Sequence, residues 1–395
     1  MKKLLAIKEG IIVTVAGAEK IIQNGSVLVD GSKIVAVGAG LEIPSEAQVI
    51  DASGKWVTPG FIDVHTHIST LNEPQTMPVT PGALDLNEMS NPITPHIRGI
   101  DALNPHDVAI ENARKAGFTT CYTGPGSANV IGGTGISFKT KKGNTVFDIA
   151  ILGSEHMKMA LGENPKRVYG SDKKMPMTRM GVAAILRETL YNAQVYADQL
   201  EKAKSDPDKK PKPDFKLESL LPVIRGEMKC RVHAHRADDI VTAVRICKEF
   251  NLKFSVEHCT EGYKILDYLK ENGIDCVVGP LTMSLSKMEI WGCKLETPGL
   301  MEKAGINFCL TEDTASDIKY LPTHVGYCVA RGLSEKRAFE AVTLRAAKLL
   351  GLEECVGSLE VGKDADISIF SGHPFSNLSL CEKTIIDGSV YDNLR

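Results

Sequence analysis

Pro59-Gly60-Phe61-Ile62-Asp63-Val64-His65-Thr66-His67 opens on a turn, runs through a short apolar segment and ends on two histidines two residues apart. Successive side chains of a strand alternate faces, so His65 and His67 share one face. Two imidazoles side by side at a strand end can hold one divalent cation. Two buried, hydrogen-bonded histidines are the ordinary alternative, and the HxH pattern alone leaves both open. The rest of the chain decides between them.

Arg231-Val232-His233-Ala234-His235 repeats the pattern on another strand. Phe254-Ser255-Val256-Glu257-His258 is a short apolar strand ending in histidine, and Ile306-Asn307-Phe308-Cys309-Leu310-Thr311-Glu312-Asp313 is one ending in a carboxylate. Helical patterns separate these strands. Coincidence is a poor account of four strand ends that carry His or Asp in a chain alternating strand and helix. A barrel of parallel strands gathers such ends on one rim, where catalytic residues of that architecture sit.

With these ligand types in this order, the chain resembles the amidohydrolase superfamily of metal-dependent hydrolases. The carriers are the 59–67 segment, His233 after the fifth strand, His258 after the sixth, Asp313 after the eighth, and the tail Val356-Gly357-Ser358-Leu359-Glu360-Val361-Gly362-Lys363-Asp364-Ala365-Asp366. The resemblance spans nearly the whole chain and points to the imidazolonepropionase and metal-dependent dipeptidase branch. It implies an α/β fold, a (β/α)8 TIM-type barrel.

Outside the barrel, both chain ends read as short strands bounded by Gly, Asn and Asp: residues 11–15, 25–29 and 33–37 at one end, 365–370 and 383–388 at the other. The economical arrangement is a small β-sandwich built from residues 1–56 and 361–395, with the barrel at 57–360 between them. Within the barrel, Asp107 to Lys115 reads as a helix stopping at Gly117, Phe118 to Tyr122 as a strand, Asp238 to Phe250 as a helix before the strand 252–256, and Glu261 to Glu271 as a helix. Ser334 is the expected N-cap of a helix running to Leu350. Lys202 to Asp214, charged and Pro-rich, reads as an exposed connection. The Gly-rich stretch 124–135 lacks the GK[ST] ending of a P-loop and the spacing of a dinucleotide fingerprint, so it reads as an active-site or interface loop.

Bulk properties agree with a soluble enzyme. The 395 residues are 43% hydrophobic and 24% charged, with net charge −3, which gives no reason to expect nucleic acid or an anionic membrane as partner. Met1 to Ile7 loosely imitates a signal peptide, but Lys8 and Glu9 interrupt the apolar run and no small-residue cleavage site follows. The 10 cysteines are scattered singly without a CxxC pair, and read as small buried hydrophobes of a reducing compartment. A cytoplasmic homo-oligomer acting on a small-molecule substrate is expected.

The resemblance assigns His65, His67 and Asp313 to a first metal, zinc in type, with Asp313 also taking the proton of the attacking water. Glu312, on the other face of the strand, reads as salt-bridged or solvated. His233 is the ligand position after the fifth strand and His235 then touches substrate, although His235 as ligand stays open. Imidazolonepropionases and related deaminases carry a glutamate three residues after that ligand, and here Arg236 stands there. This departure favours a two-metal centre in which His233 and His258 bind a second ion. The bridge is expected from a carbamylated Lys158 on the fourth strand, with Glu155 and Glu163 as fallbacks; an ordinary snorkelling lysine is the alternative. Lys139, Lys166, Arg167, Arg179 and Arg236 are the cations in reach of a substrate carboxylate, with Tyr320 beside them.

The function expected is therefore hydrolysis of a C–N bond in an amide, cyclic amide or dipeptide by a metal-activated water. A mononuclear imidazolonepropionase- or deaminase-like hydrolase is the alternative. A catalytically silent assembly relative is disfavoured, because every expected His and Asp position is filled.

Overall fold

The computed structural model describes residues 4–17, 20–71, 84–282 and 287–394. The chain enters through Leu4–Val13 (β1), Ile21–Asp30 (β2), Lys33–Ala39 (β3), Gln48–Asp51 (β4) and Trp56–Pro59 (β5). Of the Met1–Ile7 segment, the first three residues lie outside the described residues, and the rest begins β1. β2 and β3 form a hairpin in which Asp30 pairs with Lys33. Its two-residue turn needs positive φ, which Gly31 supplies at 61°.

Eight strands then form the barrel: Phe61–Thr66 (β6), Phe118–Thr123 (β7), Ile131–Lys139 (β8), His156–Ala160 (β9), Cys230–Ala234 (β10), Phe254–His258 (β11), Cys276–Val278 (β12) and Phe308–Leu310 (β13). They pair in sequence order from β6 to β13. All neighbours are parallel except at β8, which runs antiparallel to both β7 and β9. The expected strand–helix alternation fails here for a simple reason. Residues 124–130 are too short a connection for a parallel crossover, so the chain can only turn back. Gly124 and Gly135 make the close return possible: a Cβ on Gly124 would lie 2.6 Å from Gly135 Cα.

No ladder joins β13 to β6 among the described residues. Side chains stitch this seam instead. Thr311 Oγ1 lies 2.6 Å from Asp63 Oδ1 and 2.7 Å from the His65 carbonyl, and the Glu312 N–H donates to Asp63 Oδ2 at 3.2 Å. Burial raises the Asp63 carboxyl to about 7 despite these contacts.

Helices pack outside the barrel. Asp107 caps the helix Val108–Lys115, its carboxylate accepting from the Ala109 N–H. The long helix Arg179–Ala203 buries Val182, Leu186, Leu190 and Ala193 along one stripe. It was not expected from the sequence reading, nor was the helix Phe215–Ile224 that follows it. Ser334 caps a helix as expected, but that helix stops at Ala341 and a second runs Leu344–Leu350. The break has a cause, since the Val342 carbonyl accepts the Ile62 N–H of β6 at 2.8 Å. Among the described residues no helix is long and apolar enough to cross a membrane.

The chain returns through Ile367–Phe370 (β14), Cys381–Ile386 (β15) and Ser389–Asp392 (β16). These join the first five strands in one hydrogen-bonded path, β16-β15-β14-β5-β1-β2-β3, with β4 also on β1. The path curls, so that β3 meets the chain entering β14: Ile34 N–H donates to the Lys363 carbonyl and Gly362 N–H to the Ile34 carbonyl, each at 2.9 Å. Ile7, Ile12, Val27, Val57, Ile367 and Ile385 fill the space inside.

Candidate metal centre

Strand periodicity brings the first three groups together. His65 sits two residues after Asp63 on β6 and points into the barrel, and His67 follows at the rim. Asp313 closes the set from beyond β13. Its Oδ1 is 3.3 Å from His65 Nε2 and 3.2 Å from His67 Nε2. A second set, His233, His235 and His258, likewise brings its ligand-type atoms within 4.8 Å of one another. The two sets adjoin, since the His65 and His258 rings are 4.8 Å apart.

A regular strand would aim His258 to the face opposite Glu257. Positive φ at His258 (69°) and Cys259 (45°) ends the strand and swings the imidazole over the rim. Asp313 shows the same device at φ 71°. Left-handed backbone at non-glycine residues costs on the order of 1–3 kcal/mol each and clusters at functional sites.

The backs of three of the rings are held. His65 Nδ1 meets Glu257 Oε2 at 2.7 Å, His67 Nδ1 the Gly124 carbonyl at 2.9 Å, and His258 Nδ1 the Gly279 carbonyl at 2.9 Å. These partners fix Nδ1 as the protonated nitrogen and leave Nε2 as a lone-pair donor turned inward. His235 differs. Its Nδ1 meets Thr260 Oγ1 at 2.7 Å and its Nε2 meets Lys287 Nζ at 3.4 Å. Both nitrogens of His233 are buried without a hydrogen-bond partner.

Lys158 rises from the middle of β9 with Nζ 3.0 Å from His65 Nε2. It is buried among these groups, and burial lowers its ammonium to about 8. The chain leading into its strand includes a short helix, Val146–Ile149. Burial, with the Lys158 charge alongside, pushes His65 down to about 3, and burial pushes His233 down to about 4. Burial alone would raise Asp313, yet His67, His65 and Lys158 hold it well below the usual carboxylate range. His65 and His233 thus present neutral imidazoles and Asp313 an ionised carboxylate, the protonation states in which such groups bind cations.

Orphaned nitrogens on His233, an Asp313 Oδ1 with no hydrogen-bond donor, and inward Nε2 atoms fit a cation centre. The N/O donor set suits zinc or another borderline divalent ion. A cavity of about 350 Å³ opens beside it, lined by His67, His233, His258 and Asp313 at its base, and by residues of the Gly-rich loop, Gly126 to Ala128, on one wall.

Several expected residues stand elsewhere. Arg236 turns outward and forks onto Asp238 at 2.9 and 3.0 Å. Tyr320 is 49% exposed, its ring 6.4 Å from that of His324, and does not line the cavity. Lys139 ends the antiparallel strand and so lies at the opposite end of the barrel, bound to Asp364, Asp366 and Asp387 at 3.0, 2.8 and 3.1 Å. Arg179 pairs with Asp239 at 2.9 Å. Arg167 does line the cavity. Glu312 is buried and paired with His324 at 2.8 Å. Glu163 caps the loop above the site, accepting from the Glu289 N–H at 3.3 Å.

Sequence reasoning missed Arg231, Glu257, Lys287 and Glu289. Arg231 and Glu257 carried a signal, being charges inside apolar strands. Glu289 is buried, with Oε1 3.6 Å from His233 Nε2 and 2.7 Å from Lys287 Nζ, and nothing in its local sequence marks it.

The chain matches the amidohydrolase family over residues 233–392. A solved amidohydrolase from Thermotoga maritima MSB8 is 36% identical, with TM-score 0.92 over 98% of this chain and 100% of that one. Amidohydrolase tasK of Hapsidospora irregularis is 26% identical over 399 residues, 93% of this chain but 40% of the relative, so this chain spans about two fifths of that relative's length. An imidazolonepropionase of Alkaliphilus metalliredigens (strain QYMF) is 23% identical over 396 residues, 89% of this chain and 85% of the relative.

Proposed function

The chain belongs to the amidohydrolase family, and we propose that it hydrolyses a C–N bond of an amide, cyclic amide or dipeptide at a two-cation centre. His65, His67 and Asp313 hold the first ion, His233 and His258 the second, and Lys158, carbamylated, bridges them. The observation that carries this reading is the buried Lys158 beside His65, between two groups of ligand-type atoms. Carbamylation needs a neutral amine, which burial favours. A divalent ion bound there supplies Lewis acidity and lowers the pKa of water to about 7.

The chain's own groups do the rest. Asp313 stands at the base of the cavity, where its carboxylate takes the proton of the attacking water and delivers it to the leaving nitrogen. His233 serves as ligand in preference to His235 because neither of its nitrogens has a hydrogen-bond partner, whereas Thr260 and Lys287 occupy those of His235. His235 then supports the surrounding shell through Thr260 and Lys287. Zinc suits the donor set, and ten cysteines without a disulfide suit a reducing cytoplasm.

The mononuclear alternative rests on the imidazolonepropionase relative, and Arg236 in place of a glutamate weighs against it. The test is metal content per chain together with hydrolysis of small amides, cyclic amides and dipeptides after loading with zinc and bicarbonate. Two ions and turnover are expected. One ion at full activity favours the mononuclear reading, and no turnover on any C–N substrate removes both.

A further inference from the structure

We infer that Lys287 is a specificity-determining residue that binds a carboxylate of the substrate, so that the enzyme's substrates are small N-acyl amino acids or dipeptides with a free carboxylate. This rests on the hydrolase reading above and narrows it to a substrate class.

Lys287 lies on the segment after β12, on the same rim as the histidines, and lines the cavity that they floor. A lysine ammonium has three donors. One goes to Glu289 Oε1 at 2.7 Å and one to His235 Nε2 at 3.4 Å. The side chain stays 20% exposed, toward the cavity. Its anchor is built into the fold. Glu289 is fully buried, and its second oxygen accepts the Glu163 N–H at 2.8 Å. Burying a carboxylate is costly unless it is paired, and this one holds a cation against the cavity wall.

The cavity lining holds a second cation. Arg167, on the helix Glu163–Ser171 that follows β9, also lines the cavity and makes no ion pair among the described residues. Asp313 is the only carboxylate among the described lining residues, and its charge is turned to His65 and His67. Two cations lining a small cavity, with no free anion among the described lining residues, attract an anionic ligand. A lysine point charge and an arginine fork lining one cavity suit a carboxylate. A volume of about 350 Å³ suits a molecule of dipeptide size.

The test uses the metal-loaded protein and a panel of dipeptides and N-acetyl amino acids, each paired with its C-terminal amide. The wild type is expected to cleave the acids with kcat/KM at least about tenfold above the amides. Lys287→Met should raise KM for the acids about 10–100-fold, the scale of a lost charged hydrogen bond, and shrink the acid-over-amide preference to within about threefold. Lys287→Arg keeps the charge, so it should retain most of that preference, which separates lost recognition from a disturbed Glu289. Thermal stabilisation by the same ligands gives a readout without turnover, with the acids raising Tm and the amides not. Equal cleavage or equal binding of acids and amides by the wild type, or an unchanged preference in Lys287→Met, overturns the inference. Selective binding of the acids without cleavage of any panel member sinks the hydrolase reading and leaves the carboxylate site standing.

Discussion

Glu257 binds His65 through the same oxygen that binds an arginine: Oε2 lies 2.7 Å from His65 Nδ1 and 2.7 Å from Arg231 Nη2. Arg231 also reaches Glu257 Oε1 at 2.8 Å and the Val64 carbonyl at 2.7 Å, so the fork is tied to the strand carrying His65. All three side chains are buried. The pair holds Glu257 ionised, against a burial that would raise it. An ionised Glu257 fixes the His65 proton on Nδ1 and leaves Nε2 facing Asp313 and Lys158.

Glu257→Gln is therefore expected to weaken metal binding about 10–100-fold, as the loss of a partner behind a metal-binding histidine does. Competition with a chromogenic chelator measures it. Leaving Arg231 buried without its partner should also destabilise the protein by about 3–5 kcal/mol. The double variant Arg231→Met/Glu257→Gln should recover much of that stability but not the metal affinity. Recovery of both would reduce Glu257 to a packing residue.

Lys158→Ala should lower the metal content from two ions to one and the turnover with it. Propionate or a similar short carboxylic acid, placed in the space left by the side chain, is expected to restore part of the second ion and part of the rate. Lys158→Arg keeps the positive charge but cannot form a carbamate, and should not be rescued. Two tightly held ions in Lys158→Ala would remove the bridge from the proposal and leave the hydrolase intact.

The site was legible where chemistry coincides with strand periodicity. His65 and His67 share a face at i and i+2, and Asp313 follows a short strand; all three meet in the structure. Asp313 is aimed by backbone of positive φ, which no residue type at that position announces. Lys287 and Glu289 were not legible, because nothing in their local sequence marks either charge as set against the site. Only tertiary structure brings Lys287 to His235 and Glu289 to His233. β8 stayed hidden because Gly132, Gly133 and Gly135 dilute its strand pattern. The helix Arg179–Ala203 was missed although its buried residues keep helical spacing.

Asp313→Asn should abolish turnover with the fold intact. Asparagine keeps the shape but cannot accept a proton, and general-base contributions are typically about 10²–10⁴-fold. It is also a weaker ligand for a cation, so metal content must be measured on the same sample. Near wild-type turnover on a substrate that the wild type cleaves would falsify Asp313 as the proton acceptor. A loss of rate restored fully by excess metal would assign Asp313 to binding alone.

Lys139 joins the barrel to the sheet made by the two chain ends, and its loss should act on stability with a defined pH dependence. Its ammonium contacts Asp364, Asp366 and Asp387, all less than a third exposed. Burial opposes the charge, yet the three carboxylates raise the lysine above its ordinary value. A group raised on folding contributes in full below its unfolded pKa of about 10.4 and loses that contribution as pH climbs through the folded value. At neutral pH the wild type therefore has the whole contribution. Lys139→Met removes it and leaves three carboxylates facing one another, which should cost about 3–5 kcal/mol near pH 7–8. Burial already raises Asp366, and without the lysine it should titrate higher still. As pH falls through the carboxylate range, protonation relieves the repulsion and the deficit against wild type should shrink. Urea unfolding of both proteins at pH 8 and pH 5 measures this, and a deficit of equal size at the two values would show that Lys139 acts by packing and not by charge.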